Sequence, residues 1–396
     1  MSTERQDRSG GQPKIQLVGV GKVYPGTEAP AVEDLTLDVR EGEILVLVGP
    51  SGCGKSTTLR LINRMIEPTS GRIVLDGEDV TDVNPNKLRR RIGYVIQQIG
   101  LFPHNTIAQN IGTVPKMLGW DKDKISKRSD ELLETVGLDP EVFRDRYPKE
   151  LSGGQAQRVG VARALSADPD IMLMDEPFGA IDPITRERLQ NEFLRLQAEL
   201  HKTIVFVTHD IDEAIKMGDR IAILGERSVI KQIDSPERIL ASPADDFVRD
   251  FIGSGSTIKG LNFQKVDALQ PTDFPTLGPG ESGDEGRQRI ASSSHDWLIL
   301  VDEEGKPQRW LRAEDLDGDS SAWQDRGQPV EHRIGPNDTL FQALEQMMQN
   351  QGGTACVVDE HGRFTGVVDI GHLTSAVSTA KSDAQEHQAA AAGGAA

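Results

Sequence analysis

Ile44-Leu45-Val46-Leu47-Val48 runs into Gly49-Pro50-Ser51-Gly52-Cys53-Gly54-Lys55-Ser56-Thr57, and Thr58-Leu59-Arg60-Leu61-Ile62 follows with a helical pattern. Strand, glycine loop and helix in that order have the spacing of a P-loop. The glycines let backbone N–H groups turn inward around a triphosphate, and the helix N-terminus adds positive partial charge there. On this reading Lys55 reaches the β- and γ-phosphates and the Ser56 hydroxyl ligates Mg²⁺. The loop predicts a nucleotide-binding protein.

Outward from the loop, residues 14–240 alternate short β-rich runs with helical patterns, as in an α/β domain. The pattern predicts strands at Ile15–Val20, Leu35–Val39, Ile44–Val48, Ile73–Leu75, Ile92–Ile96, Ile171–Met174, Ile204–Val207 and Ile221–Leu224. It predicts helices at Lys55–Met65, Ile125–Val136, Gly153–Ala167, Ile184–Leu200 and Ile211–Met217. Leu189, Phe193, Leu196 and Leu200 fall on one helix face and are expected to be core. Residues 1–13 read as a disordered tail and 379–396 as a low-complexity tail. Residues 241–262 read as a terminal helix with a linker at Ser254-Gly255-Ser256, and Gln270–Gly286 as irregular.

Composition narrows the class. A chain of 396 residues suits two or three domains. Its apolar runs of five or six residues are too short to span a bilayer, and the polar start predicts no secretory leader. Cys53 lies inside the P-loop, far from Cys356, which fits a reducing, cytoplasmic setting. A net charge of −18 argues against a nucleic-acid partner. From Leu261 onward 22 acidic and 10 basic residues place −12 of that charge in the last third.

Leu151-Ser152-Gly153-Gly154-Gln155 opens another helix with small residues, a second anion-binding surface. It is read as docking on the γ-phosphate held by a second copy's P-loop. With this segment the chain resembles the ATP-binding subunits of ABC transporters. The other motifs follow in that family's order. Ile171-Met172-Leu173-Met174-Asp175-Glu176 resembles Walker B, which implies Asp175 in the Mg²⁺ shell and Glu176 polarising the attacking water. Gly179-Ala180-Ile181-Asp182 resembles the D-loop, where Ser-Ala-Leu-Asp is commoner. Val207-Thr208-His209-Asp210 resembles the switch-histidine segment, and Ile96-Gln97-Gln98-Ile99 the Q-loop. The resemblance implies that His209 bonds the γ-phosphate and that Gln97 senses Mg²⁺ and water. It also implies that Tyr24 stacks on adenine. The implied fold has a RecA-like core with antiparallel β and helical subdomains.

Leu101-Phe102-Pro103-His104 lies where this family receives a coupling helix from the membrane permease. Finer likeness points to glycine betaine, choline and carnitine uptake ATPases, through Leu61–Gly71, Tyr94–His104 and Met217–Ile221. It implies a homodimer on the cytoplasmic face of the membrane, with an extracytoplasmic binding protein recognising the solute. Trp297–Lys306 and Ala355–Arg363 repeat a strand, an Asp-x-x-Gly type turn and a second strand. The repeat resembles a CBS pair, small α+β modules, with a degenerate first copy at 263–328 and a second at 329–378. Asp369 and His372 replace that family's nucleotide-binding Thr and Asp, and Arg312 replaces the Thr in the first copy, leaving Asp315. Ordinary AMP or ATP binding is therefore not expected there. The alternatives are gating by a different nucleotide or by ionic strength, since the Debye length falls to about 8 Å at physiological salt, and a degenerate domain kept for dimer contacts. Rival readings are an importer ATPase for an amino acid or polyamine, and an ABC ATPase outside transport.

Overall fold

The computed structural model describes residues 13–96, 100–179, 181–253, 255–318, 323, 325–350 and 353–379. Gln97 and both expected tails beyond residues 13 and 379 lie outside the described residues. The chain divides into two units, 1–239 with 243–252, and 240–242 with 253–396.

In the first unit, β1 (Pro13–Lys22), β2 (Val32–Arg40), β4 (Ser70–Leu75) and β5 (Glu78–Asp79) form an antiparallel sheet in the order β2-β1-β4-β5. A second sheet contains β3 (Ile44–Val48), β6 (Ile92–Val95), β7 (Ile171–Asp175), β8 (Thr203–Thr208), β9 (Arg220–Leu224) and β10 (Ile230–Asp234). Its order is β10-β9-β3-β8-β7-β6, with every pair parallel except β9 with β10. Strands β3, β7 and β8 are buried along their whole length, which explains their unbroken apolar runs. Val48 pairs with Thr208 and Asp175 with Val207, so three carboxyl strand ends come level. That edge is where an open parallel sheet binds its ligand.

Helix Lys55–Ile62 stops short of the expected Met65. Arg64 turns left-handed at φ 47° and sends its guanidinium to the Val80 and Val83 carbonyls. Helix Pro183–Leu200 buries Phe193 and half-buries Leu189 and Leu196. Leu200 departs from the expected core stripe at 40 % exposure, because the helix ends beside it at left-handed His201.

In the second unit β11 (Thr276–Leu277), β12 (Trp297–Val301), β13 (Pro307–Arg312) and β14 (Gln328–Pro329) form one sheet in that order. β15 (Thr354–Val358) and β16 (Phe364–Asp369) form a hairpin. The Asp302 and Asp359 carboxylates each accept two backbone N–H groups, so the two turns close alike. The Phe364 N–H donates to Gly305 O at 2.9 Å, joining the hairpins. Two expectations are corrected. The stretch 270–286 contains β11 and the start of helix Gly283–Ser292, set by a Ser282–Glu285 capping box. Ser256, read as linker, begins helix Ser256–Gly260.

Candidate functional site

Gly49 follows β3, and a Cβ there would meet Leu224 O at 2.3 Å. Gly54 sits at φ 111°, where a Cβ would lie 2.2 Å from Ser228 Oγ and 2.7 Å from Ala31 O. Only glycine suits both demands. Pro50, Ser51 and Gly52 are exposed, Cys53 is buried, and Thr57 is half-buried in the first turn of the helix. Lys55 is buried and its Nζ donates to Gly49 O at 2.6 Å and Pro50 O at 2.9 Å.

The Ser56 hydroxyl donates to Asp175 Oδ1 at 2.9 Å, 119 positions along the chain. Asp175 is 3 % exposed. Burial pushes its carboxyl above the ordinary carboxylate range, the Ser56 hydrogen bond opposes this, and Glu176 adds to it. A hydroxyl and a buried carboxylate side by side are hard oxygen donors, the set that suits Mg²⁺ shared with phosphate oxygens.

Glu176 takes φ 47° while its N–H donates to Val207 O at 2.9 Å. This left-handed step turns its side chain toward β8, and Oε1 meets His209 Nδ1 at 3.1 Å. A non-glycine residue held there stores strain of the kind found at functional sites.

Other expected residues make local contacts. The Ser152 hydroxyl accepts the Gln155 N–H at 3.3 Å, and Gln155 Oε1 accepts the Ser152 N–H at 2.9 Å. Gly153 and Gly154 follow in that first turn. A Cβ on Gly154 would lie 3.8 Å from Ile181 Cγ2, so this turn faces the D-loop. Asp182 caps helix Pro183–Leu200 by accepting the Thr185 N–H at 3.0 Å. That bond is the main cause holding its carboxyl below the ordinary range. Tyr24 is half-buried after β1, with Lys22 Nζ 5.4 Å from its ring centroid. Phe102 is 41 % exposed. Fully buried Asn110 staples that segment, accepting the Phe102 N–H at 2.7 Å and donating to the Phe102, Asn105 and Thr106 carbonyls.

Sequence reading missed Ser228, and it named Tyr94 only as part of the Tyr94–His104 likeness. The Ser228 N–H and hydroxyl both donate to Cys53 O, at 2.6 and 3.1 Å, buttressing the P-loop from the β9–β10 turn. Tyr94 is pushed up to about 12 by burial and then by the Asp175 charge. Ser228 has no local motif to mark it.

In the second unit Asp369 Oδ1 accepts the Gly371 and His372 N–H groups and lies 2.7 Å from His372 Nδ1. His372 Nε2 is 2.8 Å from Thr272 Oγ1. Asp315 accepts the Arg312 N–H at 2.8 Å, and the Arg312 guanidinium lies 4.2 Å from the Trp297 ring centroid. These groups bind one another.

The ABC transporter family profile matches residues 32–179 and the CBS domain profile residues 331–379. The osmoprotectant import ATP-binding protein OsmV of Salmonella typhimurium is 44 % identical over 359 residues, 90 % of this chain and 93 % of that one. The choline transport ATP-binding protein OpuBA of Bacillus subtilis is 49 % identical over 305 residues, 76 % of this chain and 79 % of that one. The dimeric structure of a bacterial ABC transporter cassette is 36 % identical, with a TM-score of 0.52, covering 56 % of this chain and 98 % of that one. A related structure is a post-hydrolysis state with bound ADP and Pi, 35 % identical with a TM-score of 0.52, over the same shares. Among the described residues no helix is long and apolar enough to cross a membrane. With its P-loop, Asp175-Glu176 strand end and His209 assembled on one sheet edge, this chain belongs to the ABC transporter family as an ATP-binding, ATP-hydrolysing subunit.

Proposed function

We propose that this chain energises an importer of quaternary-amine osmoprotectants, the class of glycine betaine, choline and carnitine. The observation that carries the ATPase mechanism is the pairing of Ser56 with Asp175 and of Glu176 with His209 at level strand ends. The solute class rests on relatives alike over nearly their full length.

Two copies close on two ATP molecules. In each site Tyr24 stacks on adenine, and residues Gly49–Thr57 wrap the phosphates. Ser152, Gly153, Gly154, Gln155 and Asp182 of the second copy close the site from the other side. Ser56, Asp175 and Gln97 would hold Mg²⁺, which would supply neutralisation of phosphate charge. Glu176 takes the proton of the attacking water, and His209 orients Glu176 and bonds the γ-phosphate. Tighter binding of ATP to the closed pair than to the open one supplies the work. The Phe102 patch receives the permease subunit at the cytoplasmic face, and an extracytoplasmic binding protein selects the solute.

Glu176→Gln tests the chemistry. It is expected to keep ATP affinity within about twofold and to lower kcat about 10²–10⁴-fold, the span of general-base catalysis. Hydrolysis at the parent rate overturns the assigned role. Uptake of labelled glycine betaine, choline and carnitine in cells with and without the chain tests the solute. Unchanged uptake of all three, with loss of an amino acid or polyamine instead, overturns that part.

A further inference from the structure

Glu213 is a carboxylate that the mechanism above leaves unused, and it is only 8 % exposed. It sits in helix Ile211–Met217, directly after the switch histidine. Its Oε1 accepts from Gln190 Nε2 at 3.0 Å, and Gln190 is 5 % exposed on helix Pro183–Leu200. Its own N–H donates to Asp210 Oδ1 at 3.3 Å, next to Thr208, the 1 % exposed last residue of β8. The Thr208 oxygen meanwhile accepts the Asp210 N–H at 3.1 Å. One buried residue thus joins two places, through its backbone and its carboxylate. The first is the strand end on both sides of His209. The second is the helix whose cap is Asp182.

We propose that Glu213 is a positioning residue for hydrolysis, clamping the His209 turn to the helix that begins at the D-loop. Burying a carboxylate costs stability unless it is well bonded, and a hydrophobic residue would fill the same space more cheaply. A clamp between two catalytic loops gives the group a reason to be charged-capable and buried. His209 itself is 60 % exposed at its side chain, so packing does little to hold it. Its backbone is held through its neighbours, with Thr208 bonded to Asp210, Asp210 to Glu213 and Glu213 to Gln190.

The inference rests on the role given to His209. The test is steady-state ATPase of the full-length chain, per nucleotide-binding site counted with a fluorescent ATP analogue. Glu213→Ala and the near-isosteric Thr208→Val are each expected to lower kcat about 10- to 100-fold, the cost of a small misplacement. KM for ATP should stay within about twofold, since the P-loop is untouched. Glu213→Gln keeps an acceptor for Gln190 and leaves the backbone bond to Asp210 in place, and should recover most of the rate. Parent kcat per site in Glu213→Ala, with only a lower Tm, overturns the proposal and leaves a structural role. Glu213→Gln as slow as Glu213→Ala overturns it too, because charge and not bonding then matters. His209→Ala is the control. If it hydrolyses at the parent rate, the reading of His209 fails and this inference with it. If it is inactive while Glu213→Ala is normal, this inference alone fails.

Discussion

Asp175 and Glu176 are neighbours with opposite surroundings. Asp175 ends a buried strand, bonded to Ser56 with its carboxyl raised by burial. Glu176 steps into a left-handed conformation and reaches His209. In the proposed mechanism one dipeptide therefore supplies both a cation ligand and a base. Gly54 shows the same economy in the P-loop. Gly54→Ala forces a Cβ against Ser228 Oγ in a left-handed residue, strain of about 1–3 kcal/mol. It is expected to weaken ATP binding about tenfold or more, read by titration with a fluorescent ATP analogue. Parent affinity would show that the loop relaxes freely. Lys55, Ser56, Asp175, Glu176 and His209 were all legible, because each sits in a motif with its own local chemistry. Ser228 and Glu213 were not, since their importance arises only from what folds against them.

At the scale of elements, propensity read existence well and ends poorly. The helix after the P-loop stops at Ile62 because Arg64 is drawn to the Val80 and Val83 carbonyls, a choice made by tertiary hydrogen bonds. Helix Gly283–Ser292 was overlooked although Ser282-x-x-Glu285 is a capping-box signature, because the Pro/Gly-rich flank masked it. The same helix is tied to the β11 end by Arg289, which pairs with Glu281. The bond from Arg289, then the Gly278 N–H, holds the Glu281 carboxyl below the ordinary range. A lowered carboxylate contributes stability that is present above about pH 4.5 and lost as pH falls through its folded value. Glu281→Gln should therefore lower Tm at pH 7, with the difference from the parent shrinking as pH drops below 4.5. A difference that stays constant with pH would assign the effect to packing. Both partners are partly exposed and screened by solvent, so the loss should be small.

At the scale of the whole molecule, the residues proposed to bind nucleotide all lie in the first unit, while −12 of the −18 charge lies from Leu261 onward. A chain ending at Gly253 is expected to bind ATP with parent affinity, measured by the same titration. Loss of binding would show that the first unit needs the second to fold. By itself the sequence determined the strand–loop–helix at Gly49–Thr57, the α/β class, the family and the order of its motifs. Those follow from contiguous residues, whose hydrophobic period and glycine placement act within a few positions. Only the tertiary structure decided which motifs touch. Ser56 meets Asp175, Glu176 meets His209 and Ser228 meets Cys53 because β3, β8 and β7 lie side by side and β9 returns beside β3. Sheet order is set by packing across the whole core, and local propensity carries no record of it.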